Sequence, residues 1–331
     1  MIYFPPDKEF KKIALNMGTC LLIFLLMFEV LFYVAYPAIL ELFPADTLIG
    51  QILSEISYGI IYLTIFIVPA LIYRAISKNT YLHPFKPLTP FKSSALPYLF
   101  LAISVGFSCS YAASFAFSFF ELPESIFPPS SPTEPMSLVQ FLLAVFTTAI
   151  VPAVCEEFLF RSTILENLMP YGKGFAIFTS ALLFGLMHQN LFQIFYTTMA
   201  GIILGWAYCK TRSYLFVLLI HFCNNLLGVT QDFFISNLSK NLSSIVCFTM
   251  ETVVFAIGIL CAIIIAINEK KKKDIYADGS FGKILESSDN YREKNISFDA
   301  AKAFFRSPTV IIYTILTLIS IFSPLILAFT L

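Results

Sequence analysis

An all-α, polytopic membrane bundle of about nine helices is the fold class that this sequence predicts, and three observations predict it. First, of 331 residues 58% are hydrophobic and only 13% charged, about half the charged share of an ordinary soluble domain. Mean hydropathy is +0.80, more apolar surface than a soluble fold of this length can hide. Second, nine segments meet or approach the roughly 20 apolar residues needed to cross the hydrocarbon layer. They are 13–40, 48–76, 95–120, 138–168, 174–188, 191–209, 214–234, 245–267 and 309–331. Third, every Lys and Arg except Lys240 falls in the amino-terminal tail or an even-numbered connection, with Arg161 and Lys173 assigned to the fourth. Short cytoplasmic loops carry the positive excess, so the amino terminus is expected inside and the carboxyl terminus outside.

Each element follows in order. The first segment comes after Lys8, Lys11 and Lys12. Its apolar run is too long for a cleaved signal peptide and lacks a small-residue cleavage site, so a retained anchor is expected. The fifth segment is short and belongs within the bundle. The connection 121–137 is rich in proline and serine, acidic and without a base, which suits an external loop with extended stretches. The stretch 269–308 has mixed charge and few large apolar residues, and is expected to form a flexible cytoplasmic loop with one amphipathic turn near 300–305. The chain thus divides into helices one to three with the external loop (1–137), a central region (138–235), and the last helices with their cytoplasmic loop (236–331).

Zero formal net charge argues against nucleic-acid binding through a basic face. The seven cysteines lie mostly in apolar runs without CxxC or metal-ligand spacing. Cys155 adjoins two carboxylates, which oppose thiolate formation, so cysteine-protease chemistry is disfavoured.

Ionisable side chains deep in membrane helices cost about 2.5–3.5 kcal/mol each even on a lenient scale, so they ask for a reason. Glu156, Glu157, Arg161, His188 and His221 gather in the central region, with Asn225 beside them. Glu157 and Arg161 are four apart and share a helix face, so they can pair. Glu156 points about 100° away and keeps its carboxylate for something else. At the helical rise, Glu156 lies roughly 18 Å from residue 168 and His188 roughly 21 Å from residue 174. His221 and Asn225 lie roughly 10 and 16 Å from residue 214, so all four can meet at one depth. His221 and Asn225 also share a face, as do Phe184 and His188. Gly201 and Gly205 form a small-xxx-small pair for close helix approach.

Glu156-Glu157-Phe-Leu-Phe-Arg161, Phe184-Gly-Leu-Met-His188 and His221-Phe-Cys-Asn-Asn225, each on its own helix and in this order, resemble three motifs of one family. It is the CAAX prenyl protease and bacteriocin-processing family of intramembrane metalloproteases, also called CPBP, type II CAAX protease or Abi. The resemblance spans roughly 138–234, with Ser162 and Arg212 standing where glycine is usual. It implies a catalytic core in helices four to seven and endopeptidase activity. Glu156 would activate water with help from His188, His221 and Asn225 would stabilise the oxyanion, and Glu157 with Arg161 would brace the first motif. Two arrangements stay open on cofactors. A metal-free site uses every residue once and is preferred. In the other, Glu156, His188 and His221 form a His₂Glu zinc site with an open water position. The implied partners are a peptide or protein substrate, lipid-modified or not, and membrane lipid, with no nucleic acid. Two other classes compete: a non-catalytic membrane protein for bacteriocin immunity or partner binding, and a permease. A permease predicts repeats and broken helices in both halves, which the sequence lacks.

Overall fold

The structure, a computed structural model, describes residues 7–43, 47–77, 91–119, 134–276 and 299–330, and every regular element among them is helical. Helix α1, Asp7–Val30, runs through a π-helical turn, Leu31–Ala35, into Tyr36–Leu40. Helix α2 is Leu48–Ile76, capped by the Thr47 hydroxyl, which accepts from Gly50 N at 3.0 Å. Helix α3 is Leu96–Phe117. Helix α4 is composite: Leu138–Ala144, a π segment Val145–Ile150, Val151–Glu157, a second π segment Phe158–Leu165, and Glu166–Leu168. It opens on a capping box of Ser137 and Gln140, which satisfies two backbone donors at the helix start. Helices α5, Lys173–Leu186, α6, Leu191–Thr211, and α7, Tyr214–Asn237, follow closely, with Asn190 and Ser213 capping the last two. Helix α8 is Lys240–Tyr276, α9 is Asp299–Phe305, and α10 is Pro308–Thr330.

Among the described residues seven helices are long and apolar enough to cross a membrane, and α9 with α10, bent by 66°, would make an eighth. The protein is therefore a multi-pass helical membrane protein, but the expected count of nine is not reached by length. The shortfall is α5, whose 14 residues rise only about 21 Å against a hydrocarbon core of about 30 Å. It survives in the bundle because α4, α6 and α10 pack against it.

Helix α4 is the axis of the fold. Helices α2, α5 and α7 pack directly on it, α6 closes against α5, α3 and α7, and α1 joins α2 to α10. Between membrane helices no solvent drives apolar faces together, so close packing at small residues supplies much of the association. A Cβ on Gly201 would stand 3.0 Å from the Ala181 Cα, and one on Gly205 would stand 3.2 Å from Ile177, so the expected small-residue pair does bring α6 onto α5.

Three sequence expectations change. The basic run Lys270–Lys273 continues α8 as helix and is not loop, whereas the expected amphipathic turn is helix α9. The rest of that connection, 277–298, and most of the proline-rich one, 120–133, lie outside the described residues. Arg161 is wholly buried inside α4, so it says nothing about which side of the membrane a connection occupies.

Arg212 occupies the left-handed position that ends α6 (φ 55°, ψ 24°), where a glycine would fit without strain. For a residue with a Cβ this conformation costs about 1–2 kcal/mol. The side chain offsets it by reaching both oxygens of the buried Glu166 at 2.9 Å, while the Tyr208 hydroxyl donates to the same carboxylate at 2.6 Å. The arginine thus places a positive charge against a buried carboxylate.

Candidate active site

The site is built around one helical turn of α4. Pro152 has no N–H to give the Thr148 carbonyl four residues earlier. Asn225 on α7 supplies the missing donor, its Nδ2 reaching Thr148 O at 2.9 Å. Side-chain hydroxyls also reach carbonyls in and beside the π segment that follows Glu157. The Ser180 hydroxyl from α5 donates to Phe160 O at 2.9 Å, Thr163 to Phe158 O at 3.2 Å, and the Tyr214 hydroxyl to Val154 O at 2.8 Å. Irregular helix is tolerated at membrane depth where neighbouring side chains satisfy the freed groups, and π segments concentrate at functional sites.

Glu156 and Glu157 are both buried, at 3% and 0% exposure, and have different partners. Glu157 Oε2 lies 3.1 Å from Arg161 Nε, as the four-residue spacing predicts. Its Oε1 takes His221 Nδ1 at 2.8 Å, a contact between α4 and α7 that spacing alone does not give. Arg161 also donates through Nη2 to Gly201 O at 3.3 Å and sets its guanidinium 4.5 Å from the Phe184 ring centroid. Gly201 is therefore more than a packing residue: its carbonyl lies within reach of a buried cation because no side chain covers it.

Glu156 is not unpartnered, contrary to the sequence reading. The Tyr62 hydroxyl of α2 donates to Glu156 Oε1. The other oxygen, Oε2, has no hydrogen-bond partner and faces His221 Nε2 at 3.7 Å. Tyr62 is the residue that sequence reasoning missed. Its signal was available: Tyr58 and Tyr62 lie four apart in an apolar span, and their rings stack at 5.6 Å.

His188, half-buried just beyond the end of α5, places Nδ1 2.9 Å from Phe184 O. A carbonyl only accepts, so Nδ1 carries the hydrogen and Nε2 keeps its lone pair in the neutral ring. The Phe184 ring stands edge-on to both histidines, with centroids 5.2 Å from His188 and 6.0 Å from His221. His188 lies within electrostatic reach of Glu156 and His221. After it the chain turns at Gln189 (φ 51°), whose Oε1 accepts from the Ser320 hydroxyl of α10. The last helix thus holds the turn that carries His188. Of the six residues singled out from the sequence, five form one cluster. Asn225 sits beside it, with its amide engaged by Thr148.

Among the described residues no group of three or more His, Cys, Asp and Glu side chains is placed to hold a metal ion. Each histidine has its Nδ1 engaged and Tyr62 takes one oxygen of Glu156, which leaves Nε2 of both rings and Glu156 Oε2 as the open atoms of the site.

A multi-pass helical membrane protein with two buried glutamates, an arginine and two histidines on adjoining helices defines a class, that of membrane proteins with a polar centre among their helices. Residues 138–227 match the profile of the Rce1-like family, the type II CAAX prenyl endopeptidases. The match spans α4 to α7 up to Leu227 and contains all six residues of the site. No curated protein and no solved structure matches the chain.

Proposed function

We propose that this protein is an intramembrane endopeptidase in which Glu156 activates the attacking water. The observation that carries this reading is the division of labour between adjacent carboxylates: Glu157 is held by Arg161 and His221, while one oxygen of Glu156 is left without a partner in a buried site. Tyr62 fixes the orientation of Glu156. Water bound against Glu156 Oε2 and His188 Nε2 loses a proton to the carboxylate as its oxygen bonds to the substrate carbonyl carbon. The carbonyl oxygen becomes an oxyanion, which takes a hydrogen bond from His221 Nε2, and the proton on Glu156 then passes to the departing amine nitrogen as the C–N bond breaks. With protons on both ring nitrogens, His221 and Arg161 together balance the charge of the two glutamates, as a buried cluster requires. Asn225 gives one Nδ2 hydrogen to Thr148 O and holds α4 against α7, and its second Nδ2 hydrogen is left for the oxyanion. The substrate is a peptide or protein entering from the bilayer, with or without a lipid group. The test is comparative proteomics of membrane and secreted fractions from cells carrying the parent or Glu156→Gln. A peptide end present with the first and missing with the second is expected, and identical fractions would overturn the proposal.

The reaction is metal-free in this reading. Purified protein is expected to carry far less than one zinc per chain and to keep its peptidase activity after thorough chelation. Stoichiometric zinc that co-purifies and is released by His188→Ala would instead make Glu156, His188 and His221 ligands.

The amino terminus is assigned to the cytoplasm and the carboxyl terminus to the outside, on the alternation of basic residues. In a cysteine-free background, a thiol probe added outside intact cells is expected to label a cysteine at Ser131 but not one at Ser280. Both positions lie outside the described residues. Labelling of both from one side would overturn this topology.

A further inference from the structure

Outside the candidate active site, the first turns of α1 meet α9 and the start of α10 around a cavity of about 800 Å³. Four cations border it, Lys11 and Lys12 from α1 with Lys302 and Arg306 from α9 and its end, against one acid, Asp299. Lysines and arginines at the ends of membrane helices need no ligand to explain them. Here, however, two pairs from opposite ends of the chain converge on one hollow, and the packing that brings them together is specific. The Thr309 hydroxyl donates to Leu15 O at 2.9 Å, and Gly18 lets the first turn of α10 lie directly on α1. Helix α9 crosses at 66° to α10 because its Ala300 and Phe304 are buried in the bundle, with Phe304 against Phe175. That orientation turns Lys302, on the opposite side of so short a helix, toward the cavity.

The hollow also has apolar lining. Leu15, Ala303 and Pro308 line it, and α10, which starts at Pro308, carries Ile311 and Ile312 exposed in its first turns. It also lies where two membrane spans begin, which is the level of lipid headgroups. We propose that this cavity binds an anionic glycerophospholipid, its phosphate among Lys11, Lys12, Lys302 and Arg306 and an acyl chain descending along α10. A soluble anion would match the charges alone. The apolar wall and the depth favour a lipid. The occupied site would tie α1 to α9 and α10, and through Ser320 and Gln189 to the turn that carries His188.

The test uses the full chain purified in a neutral detergent and titrated with dioleoylphosphatidylglycerol, dioleoylphosphatidylcholine or inorganic phosphate, read by native mass spectrometry and melting temperature. Phosphatidylglycerol is expected to bind at low stoichiometry and raise the melting temperature, and the other two are not. Removing two of the cations, as Lys302→Gln with Arg306→Gln, is expected to weaken phosphatidylglycerol binding by about thirtyfold. Lys11→Gln with Lys12→Gln should act similarly from the opposite wall. The charge-keeping pair Lys302→Arg with Arg306→Lys should bind within a fewfold of the parent. Equal binding of both lipids, protection by inorganic phosphate as strong as by phosphatidylglycerol, or parental binding in both glutamine pairs would overturn the proposal.

Discussion

Replacing Glu156 by glutamine is expected to give a protein that expresses and melts like the parent while its turnover falls by about 10²–10⁴-fold, the usual contribution of a positioned general base. The two halves of that result have separate causes. An amide oxygen can still accept from the Tyr62 hydroxyl, so the α2–α4 contact survives. The amide cannot take a proton from water, so the chemistry does not. Tyr62→Phe separates positioning from chemistry: it keeps the carboxylate and the ring stack with Tyr58 but removes the hydrogen bond that aims it. A hydrogen bond to a charged group contributes about 1.5–3 kcal/mol, so turnover should fall by about 10- to 150-fold, at or below the low end of the Glu156→Gln loss. Single-turnover cleavage of an identified substrate, with melting temperature in parallel, measures both variants. A Glu156→Gln protein that cleaves at the parental rate would remove Glu156 from the mechanism.

The parts of this site that were legible in the sequence are those written within one helix. The pairing of Glu157 with Arg161 follows from a four-residue interval, and the hydropathy of the surrounding segments placed both inside the membrane. The three-motif order then marked α4, α5 and α7 as the elements that had to meet. What could not be read is the register of one helix against another. Tyr62 reaches Glu156, and His221 reaches Glu157, because apolar faces and small residues fix how α2 and α7 lie on α4, and no interval along the chain encodes that. The π segments were equally hidden, since an apolar run has the same hydropathy whichever helical form it takes. Pro152 was a clue, because a proline within an apolar span announces a carbonyl in need of a donor, and Asn225 answers it. The short α5 was visible as short, but whether it crosses the bilayer depends on the neighbours that enclose it.

Glu157 and Arg161 carry the second large effect, and the structure changes what it should look like. On sequence alone Glu157 braces the helix, so activity would track the folded fraction. Its contact with His221 Nδ1 at 2.8 Å gives it a second duty, because it also orients the ring that faces Glu156. Both members of the ion pair are fully buried, and removing one leaves an uncompensated charge at a cost of about 3–5 kcal/mol. Glu157→Gln and Arg161→Ala are therefore both expected to lower yield and melting temperature sharply, Arg161→Ala also losing the contacts to Gly201 O and the Phe184 ring. The double variant Glu157→Gln with Arg161→Met removes both charges and keeps most of the volume. Replacing a buried pair by neutral groups is often harmless to stability, so the double variant should regain much of the melting temperature lost by either single change. Its activity per folded molecule should stay low, because a neutral amide holds His221 more weakly and no longer balances a charged ring. Recovered stability with depressed activity would assign both duties to Glu157. Parental turnover in the double variant would show that the contact with His221 has no part in the reaction, and a Glu157→Gln protein as stable as the parent would show that the ion pair does not hold the fold.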